Sequence, residues 1–132
     1  MRILVTGGAG FIGSHLCDAL IERGHVVVAI DNLSLGRESN VAHLRQHPGF
    51  TLVVGDVLDP QCFTPLVRDG AFDCVFHMAA NSDIARSHAA PSVDLDQTFL
   101  TTFRVLEAMR TAGIGKLVFA STSAIFGEAG GE

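Results

Sequence analysis

The chain contains no tryptophan and no tyrosine, and Lys116 is its only lysine. Without tyrosine, no phenol serves as acid or base anywhere in the 132 residues. Nine Lys and Arg stand against 14 Asp and Glu, for a net charge of −5. There is no basic stripe and no Lys/Arg cluster, which argues against nucleic acid and anionic lipid as partners. No apolar run approaches the ~20 residues needed to span a membrane. The apolar N-terminus is rich in glycine and lacks a small-residue cleavage site, so it reads as a buried strand and turn, not a signal peptide. Cys17, Cys62 and Cys74 are odd in number and widely spaced. That spacing argues against a disulfide framework and for a reducing, cytoplasmic compartment.

What the chain does have is apolar content, 48% against 17% charged, enough for a real core in one ordinary domain. Apolar runs alternate with stretches of helical period. Residues 2–6, 25–30, 50–54, 73–79 and 116–121 read as strands, the second rich in β-branched side chains. Helices are expected over 11–23, closed by Gly24, near 41–46, broken by Pro48-Gly49, and over 60–69. Residues 81–90 read as a loop, and a long helix runs from Pro91 to about Ala112, stopped by Gly113 and Gly115. Strict β/α alternation with continuous apolar strands predicts an α/β fold. With right-handed crossovers this is a doubly wound, Rossmann-like parallel sheet, truncated after its fifth strand.

The opening "MRILVTGGAGFIGSHL" places glycines at 7, 8, 10 and 13 between the first strand and the first helix. Gly8-x-Gly10-x-x-Gly13 fits the dinucleotide fingerprint, and Gly7-x-x-Gly10-x-x-Gly13 fits its variant with a longer turn. Such glycines allow a tight turn, a close approach of backbone to a pyrophosphate, and close helix–sheet packing. The helix start adds unpaired N–H groups and a positive dipole end. Asp31, at the end of the second strand, suits the two ribose hydroxyls and would repel a 2′-phosphate, which points to NAD over NADP. Arg37 would soften that preference. Asp56-Val57 after the third strand suits the adenine amino group, and the small Ala79-Ala80 after the fourth leaves room for a flat ligand. The plainer reading makes the glycines a packing turn and Asp31 a cap.

In order and spacing, "TGGAGFIGSHL", "DNLSLGR", "GDV", "VFHMAA" and "VFASTSAIFGE" resemble the extended short-chain dehydrogenase/reductase family, the NAD-dependent epimerase/dehydratases of nucleotide sugars. "DNLSLGR" and "STSAIFGE" look most like its UDP-glucose 4-epimerase branch. The resemblance implies that Gly7, Gly10, Phe11 and Ile12 line the pyrophosphate. Asp31 and Asn32 would hold the adenosine ribose, with Ser34 and Gly36 nearby, and Asp56 and Val57 would flank the adenine. Met78, Ala79, Ala80 and Ser82 would lie along the nicotinamide. Gln97 stands where an Asn commonly stacks near the cofactor. Thr122 matches the Ser/Thr that hydrogen-bonds the sugar hydroxyl being oxidised.

Phe126 replaces a usual Tyr ahead of Gly127. More consequential, the family's base is a Tyr with a Lys four residues later, some two dozen residues beyond the Ser/Thr, and no Tyr is present. The resemblance therefore implies that residues 1–132 are the N-terminal NAD-binding domain of a longer enzyme, inactive alone. Dehydratases of the family follow the Thr with Asp-Glu, whereas Ser123-Ala124 follow it here, so epimerisation is favoured over elimination. Reductase or decarboxylase chemistry stays open. A non-catalytic NAD-binding sensor or scaffold is the alternative, and an FMN-type phosphoryl-ligand domain is a third reading.

The remaining constellations carry less. His43 and His47 have metal-ligand spacing but no accompanying acid in sequence, and read as a solvated helix face. His77 reads as a satisfied core imidazole, and His15 as helix packing or a hydrogen bond near the glycine turn. Leu95, Phe99, Phe103, Leu106 and Met109 form a stripe, widened by Val93, Leu100 and Val105, expected mostly to pack on the sheet. The resemblance implies that the 91–112 helix also forms a homodimer interface.

Overall fold

The computed structural model describes residues 1–122. Five parallel strands form one sheet in the order β3-β2-β1-β4-β5: β1 Arg2–Thr6, β2 Val26–Asp31, β3 Phe50–Val54, β4 Cys74–His77 and β5 Leu117–Phe119. The register runs Ile3 beside Val27 and Cys74, and Val75 beside Leu117. Because parallel neighbours need crossovers, helices must cover both faces. Alternation within the strands sorts the side chains accordingly. Ile3, Val5, Val27 and Ala29 pack with Cys17, Leu20 and Ile21 of helix α1 (Phe11–Glu22) and with Val41 and Leu44. Leu4, Val28, Ile30 and Val75 face the other way, onto Phe63 and Val67 of α2 (Pro60–Asp69) and Val105, Ala108 and Met109 of α5 (Thr101–Ala112).

Local signals explain the element ends. Asp59 caps α2 through Gln61 N–H at 2.9 Å, and Pro60 takes the first helical position, where a missing N–H is harmless. Gly113 closes α5 in the left-handed region at φ 71°. Strands β4 and β5 are shorter than the expected 73–79 and 116–121, because residues beyond His77 and Phe119 leave the ladder.

Three expectations change. The helix near 41–46 is a 3-10 helix over Glu38–Leu44. The expected loop 81–90 contains helix α3, Ile84–Ala89, capped by Asp83, whose Oδ1 accepts Arg86 N–H at 3.0 Å. That aspartate was the overlooked start signal. The long helix is three joined pieces: α4 (Ser92–Asp94), a π-helical stretch over Leu95–Leu100, and α5. Within α5 Thr101, Val105, Ala108 and Met109 meet the sheet side, while Leu95, Phe99, Phe103 and Leu106 of the expected stripe are exposed. Among the described residues no helix is long and apolar enough to cross a membrane.

Candidate functional site

The winding direction reverses between β1 and β4, and a sheet of this kind opens a crevice at the carboxyl ends of those strands. The glycine turn sits at that point. Gly7 N–H donates to Ile30 C=O of the neighbouring strand at 2.8 Å, with φ at 69°. A Cβ on Gly7 would lie 2.8 Å from Ala79 N, so the turn touches the backbone that follows β4. At Gly13 a Cβ would lie 2.0 Å from Gly7 C=O, which sets how closely α1 approaches the turn. Gly10 caps α1 without a side chain, leaving the first-turn N–H groups of Phe11, Ile12 and Gly13 without helical acceptors. The side chains of Phe11 and Ile12 are exposed at this rim. His15 meets the same turn, its Nδ1 2.8 Å from Phe11 C=O.

Asp31 ends β2 and is 8% exposed. Its Oδ2 accepts Ala9 N–H at 2.9 Å and its Oδ1 accepts Leu33 N–H at 2.8 Å. The carboxylate thus welds the glycine turn to the β2 turn and fixes Leu33 at φ 59°, a region L side chains avoid. Gly36 lies against it, since a Cβ there would come within 2.7 Å of Oδ1. The capping role and the ligand-facing role are therefore compatible: each carboxylate oxygen keeps lone-pair capacity beyond its one backbone donor. At the end of β3, Asp56 accepts Asn32 Nδ2 at 2.9 Å and Leu58 N–H at 2.8 Å, while Asn32 Oδ1 accepts the Ser34 hydroxyl at 2.7 Å. Val57 is buried beside it.

One residue of this edge escaped the sequence reading. Asn40 donates from Nδ2 to Ala9 C=O at 2.8 Å, beside Arg37 N–H at 3.0 Å. The Ala9 peptide is thereby held on both sides. No motif marks Asn40, because the chain returns to the turn only in three dimensions. Asn40→Ala is expected to cost about 1 kcal/mol, the size of one such hydrogen bond, read as a lowered urea midpoint.

Beyond β4 the residues Met78 and Ala79 are half-buried, and Ala80 and Ser82 are exposed. His77 is 1% exposed, with Nδ1 2.6 Å from Thr6 Oγ1 and Nε2 3.0 Å from Thr102 Oγ1. It is the satisfied core imidazole expected, and burial pushes its pKa down to about 4. Gln97 lies in the π stretch, next to Thr98, whose Oγ1 accepts Asn81 N–H at 3.4 Å. Thr122 is exposed just past β5. Ser123, Ala124, Phe126 and Gly127 lie outside the described residues.

The structure thus joins Gly7, Gly10, Gly13, Asp31, Gly36 and Ala79 at one edge, with Asn32, Ser34, Asp56 and Val57 along its β2–β3 side. His43 and His47 are both exposed, as the solvated-face reading expects, but His43 has a partner. Its Nε2 lies 2.7 Å from Asp18 Oδ1 on α1, an acid that sequence proximity did not reveal. Among the described residues no group of three His, Cys, Asp or Glu could hold a metal ion.

The sequence profile of the NAD dependent epimerase/dehydratase family matches residues 3–132. A UDP-glucose 4-epimerase of Klebsiella pneumoniae is 34% identical over 130 residues, covering 97% of this chain and 94% of that sequence. The UDP-glucose 4-epimerase of Corynebacterium glutamicum is 40% identical over 129 residues, covering 97% of this chain and 37% of that protein. Among solved structures, a Thermus thermophilus UDP-glucose 4-epimerase in complex with NAD superposes with a TM-score of 0.83 at 39% identity, covering 92% of this chain and 38% of that one. The chain thus spans well under half of the full-length relatives.

Proposed function

The chain belongs to the NAD-dependent epimerase/dehydratase family, and from that premise we propose that it is the N-terminal cofactor domain, residues 1–132, of a nucleotide-sugar 4-epimerase of the UDP-glucose type. The observation that carries this reading is the Gly7–Gly13 cradle set against Ala79 at the strand reversal, with carboxylates at the ends of β2 and β3. A dinucleotide fits this edge chemically. Gly7 and Gly13 let the turn close against Ala79 and against α1, and the first-turn N–H groups of Phe11, Ile12 and Gly13 face an anion with the dipole in favour. Asp31, with Asn32, Ser34 and Gly36 around it, takes the ribose hydroxyls. Asp56 and Val57 flank the adenine, and Met78, Ala79, Ala80, Ser82 and Gln97 lie along the nicotinamide.

NAD, when bound, supplies reversible hydride transfer at a sugar carbon. Thr122 orients the sugar hydroxyl from the end of β5. A general base must stand within hydrogen-bond reach of the proton it removes, and a chain without tyrosine cannot provide the phenol its relatives' motif calls for. We place that base, its lysine and most sugar contacts in the remainder of the longer protein. The exposed Leu95, Phe99, Phe103 and Leu106 favour a homodimer through the 91–112 helices. Three free thiols, two of them buried, favour a reducing cytoplasm.

Calorimetric titration of the protein with NAD should show saturable binding that Asp31→Ala weakens at least tenfold, about 1.4 kcal/mol, with the variant's thermal melt confirming that it folds. UDP-glucose and UDP-galactose should interconvert with the full-length protein. Binding unchanged in Asp31→Ala would sink the dinucleotide reading in favour of another phosphoryl ligand.

A further inference from the structure

The hydrogen bonds around His77 form an unbroken chain whose direction is fixed at its Thr102 end. At one end Ala79 N–H lies 3.3 Å from Thr6 Oγ1. An amide can only donate, so Thr6 Oγ1 accepts there and its own proton is free for His77 Nδ1 at 2.6 Å. At the other end Thr102 Oγ1 lies 2.7 Å from Thr98 C=O. A carbonyl can only accept, so the Thr102 hydroxyl donates to it and accepts His77 Nε2–H at 3.0 Å. The Thr102 end therefore demands an Nε2–H, and the neutral imidazole so protonated accepts the Thr6 hydroxyl proton on Nδ1. Thr98 also takes Asn81 N–H on its hydroxyl at 3.4 Å, so the π stretch holds the segment after β4 as well.

We propose that His77 is a positioning residue for the ligand edge: its Nε2-protonated imidazole ties the ends of β1 and β4 to the π stretch and so fixes the Ala79 backbone against Gly7. The imidazole itself is buried. Its effect passes through Thr6, which shares the β1 end with the glycine turn, and through Ala79, which a Cβ on Gly7 would strike.

Two arms test the proposal, and only the second rests on the NAD reading above. In the 15N-labelled protein at neutral pH, the two ring nitrogens of His77 should report the Nε2–H tautomer. Thr102→Val keeps the branched shape but cannot accept from Nε2–H, and Thr102→Ser restores the acceptor. Thr102→Val should speed hydrogen exchange at Ala79 N–H and weaken NAD binding, each by up to about tenfold, the worth of one buried hydrogen bond. Thr102→Ser should return both to near the parent values. An Nδ1–H tautomer overturns the proposal, as does faster Ala79 exchange with undiminished NAD affinity. Should the parent protein bind no NAD while the tautomer and exchange results hold, the relay stands and the cofactor reading falls.

Discussion

Gly13→Ala is expected to cost about 3 kcal/mol or more and to abolish measurable NAD binding, whereas Gly115→Ala stays within about 0.5 kcal/mol of the parent. The contrast comes from what each new methyl would meet. At Gly13 it would stand 2.0 Å from Gly7 C=O and 2.9 Å from both Gly7 C and Gly8 Cα. All three are backbone atoms of a turn that is itself pinned to Ile30 C=O and, through Ala9, to Asp31. None can swing aside as a side-chain tip does, so α1 must retreat from the turn. That movement unseats Cys17 and Leu20 from the core beside β1 and β2 and shifts the N–H groups of the first helical turn. At Gly115 a methyl meets nothing within 4 Å. Urea denaturation of both variants, with NAD titration of each, checks the pair. Near-parental stability of Gly13→Ala would show that the helix has room the backbone distances deny.

Stability should fall on mild acidification, by about 2 kcal/mol between pH 7 and pH 5 and about 3 kcal/mol by pH 4, on account of His77 alone. Burial depresses the folded-state pKa from the ordinary imidazole value of 6.5 to about 4. Above pH 6.5 the ring is neutral in both states and its contribution to the pH dependence vanishes. Between about 6.5 and 4 the unfolded chain takes up a proton that the folded chain refuses, so the unfolded state gains. Protonation would also put a hydrogen on Nδ1, where the Thr6 hydroxyl already donates. Urea midpoints measured from pH 7 down to pH 4 should trace this slope, and His77→Gln should flatten it. A slope unchanged in His77→Gln would assign the acid sensitivity to other groups.

Much of the architecture was legible because it rests on short-range patterns. Apolar runs at 2–6 and 25–30, the 3.6-residue period of 11–23 and the stops at Gly24 and Gly113 each follow from neighbours in the chain. The residues of the glycine turn and Asp31 were legible too, since their spacing is a local requirement of a strand–turn–helix unit. Boundaries that depend on where a ladder ends, as at Met78 and Ala120, were not. Nor was α3, although Asp83 offered a cap, because the six-residue helix buries no side chain of its own and leaves no apolar period to find. Asn40 and Asp18 carry no motif either. Each acts on a residue 31 or 25 positions away, on the Ala9 carbonyl and on His43 respectively.

The sequence by itself determined that the chain alternates strand and helix, that backbone must be approached closely at residues 7–13, and that an acid waits at the end of the second strand. These are statements about neighbours along the chain, and side-chain size, branching and period suffice to make them. Only the tertiary structure decided that Asp31 braces the glycine turn as well as facing the edge, that most of the expected stripe of the last helix points outward while Met109 and Val105 do not, and that His77 is held neutral between Thr6 and Thr102. Each depends on which groups the sheet order and the π stretch bring together across 20 or more positions. Hydrogen-bond direction and desolvation are properties of that assembled neighbourhood and are not encoded in any one segment.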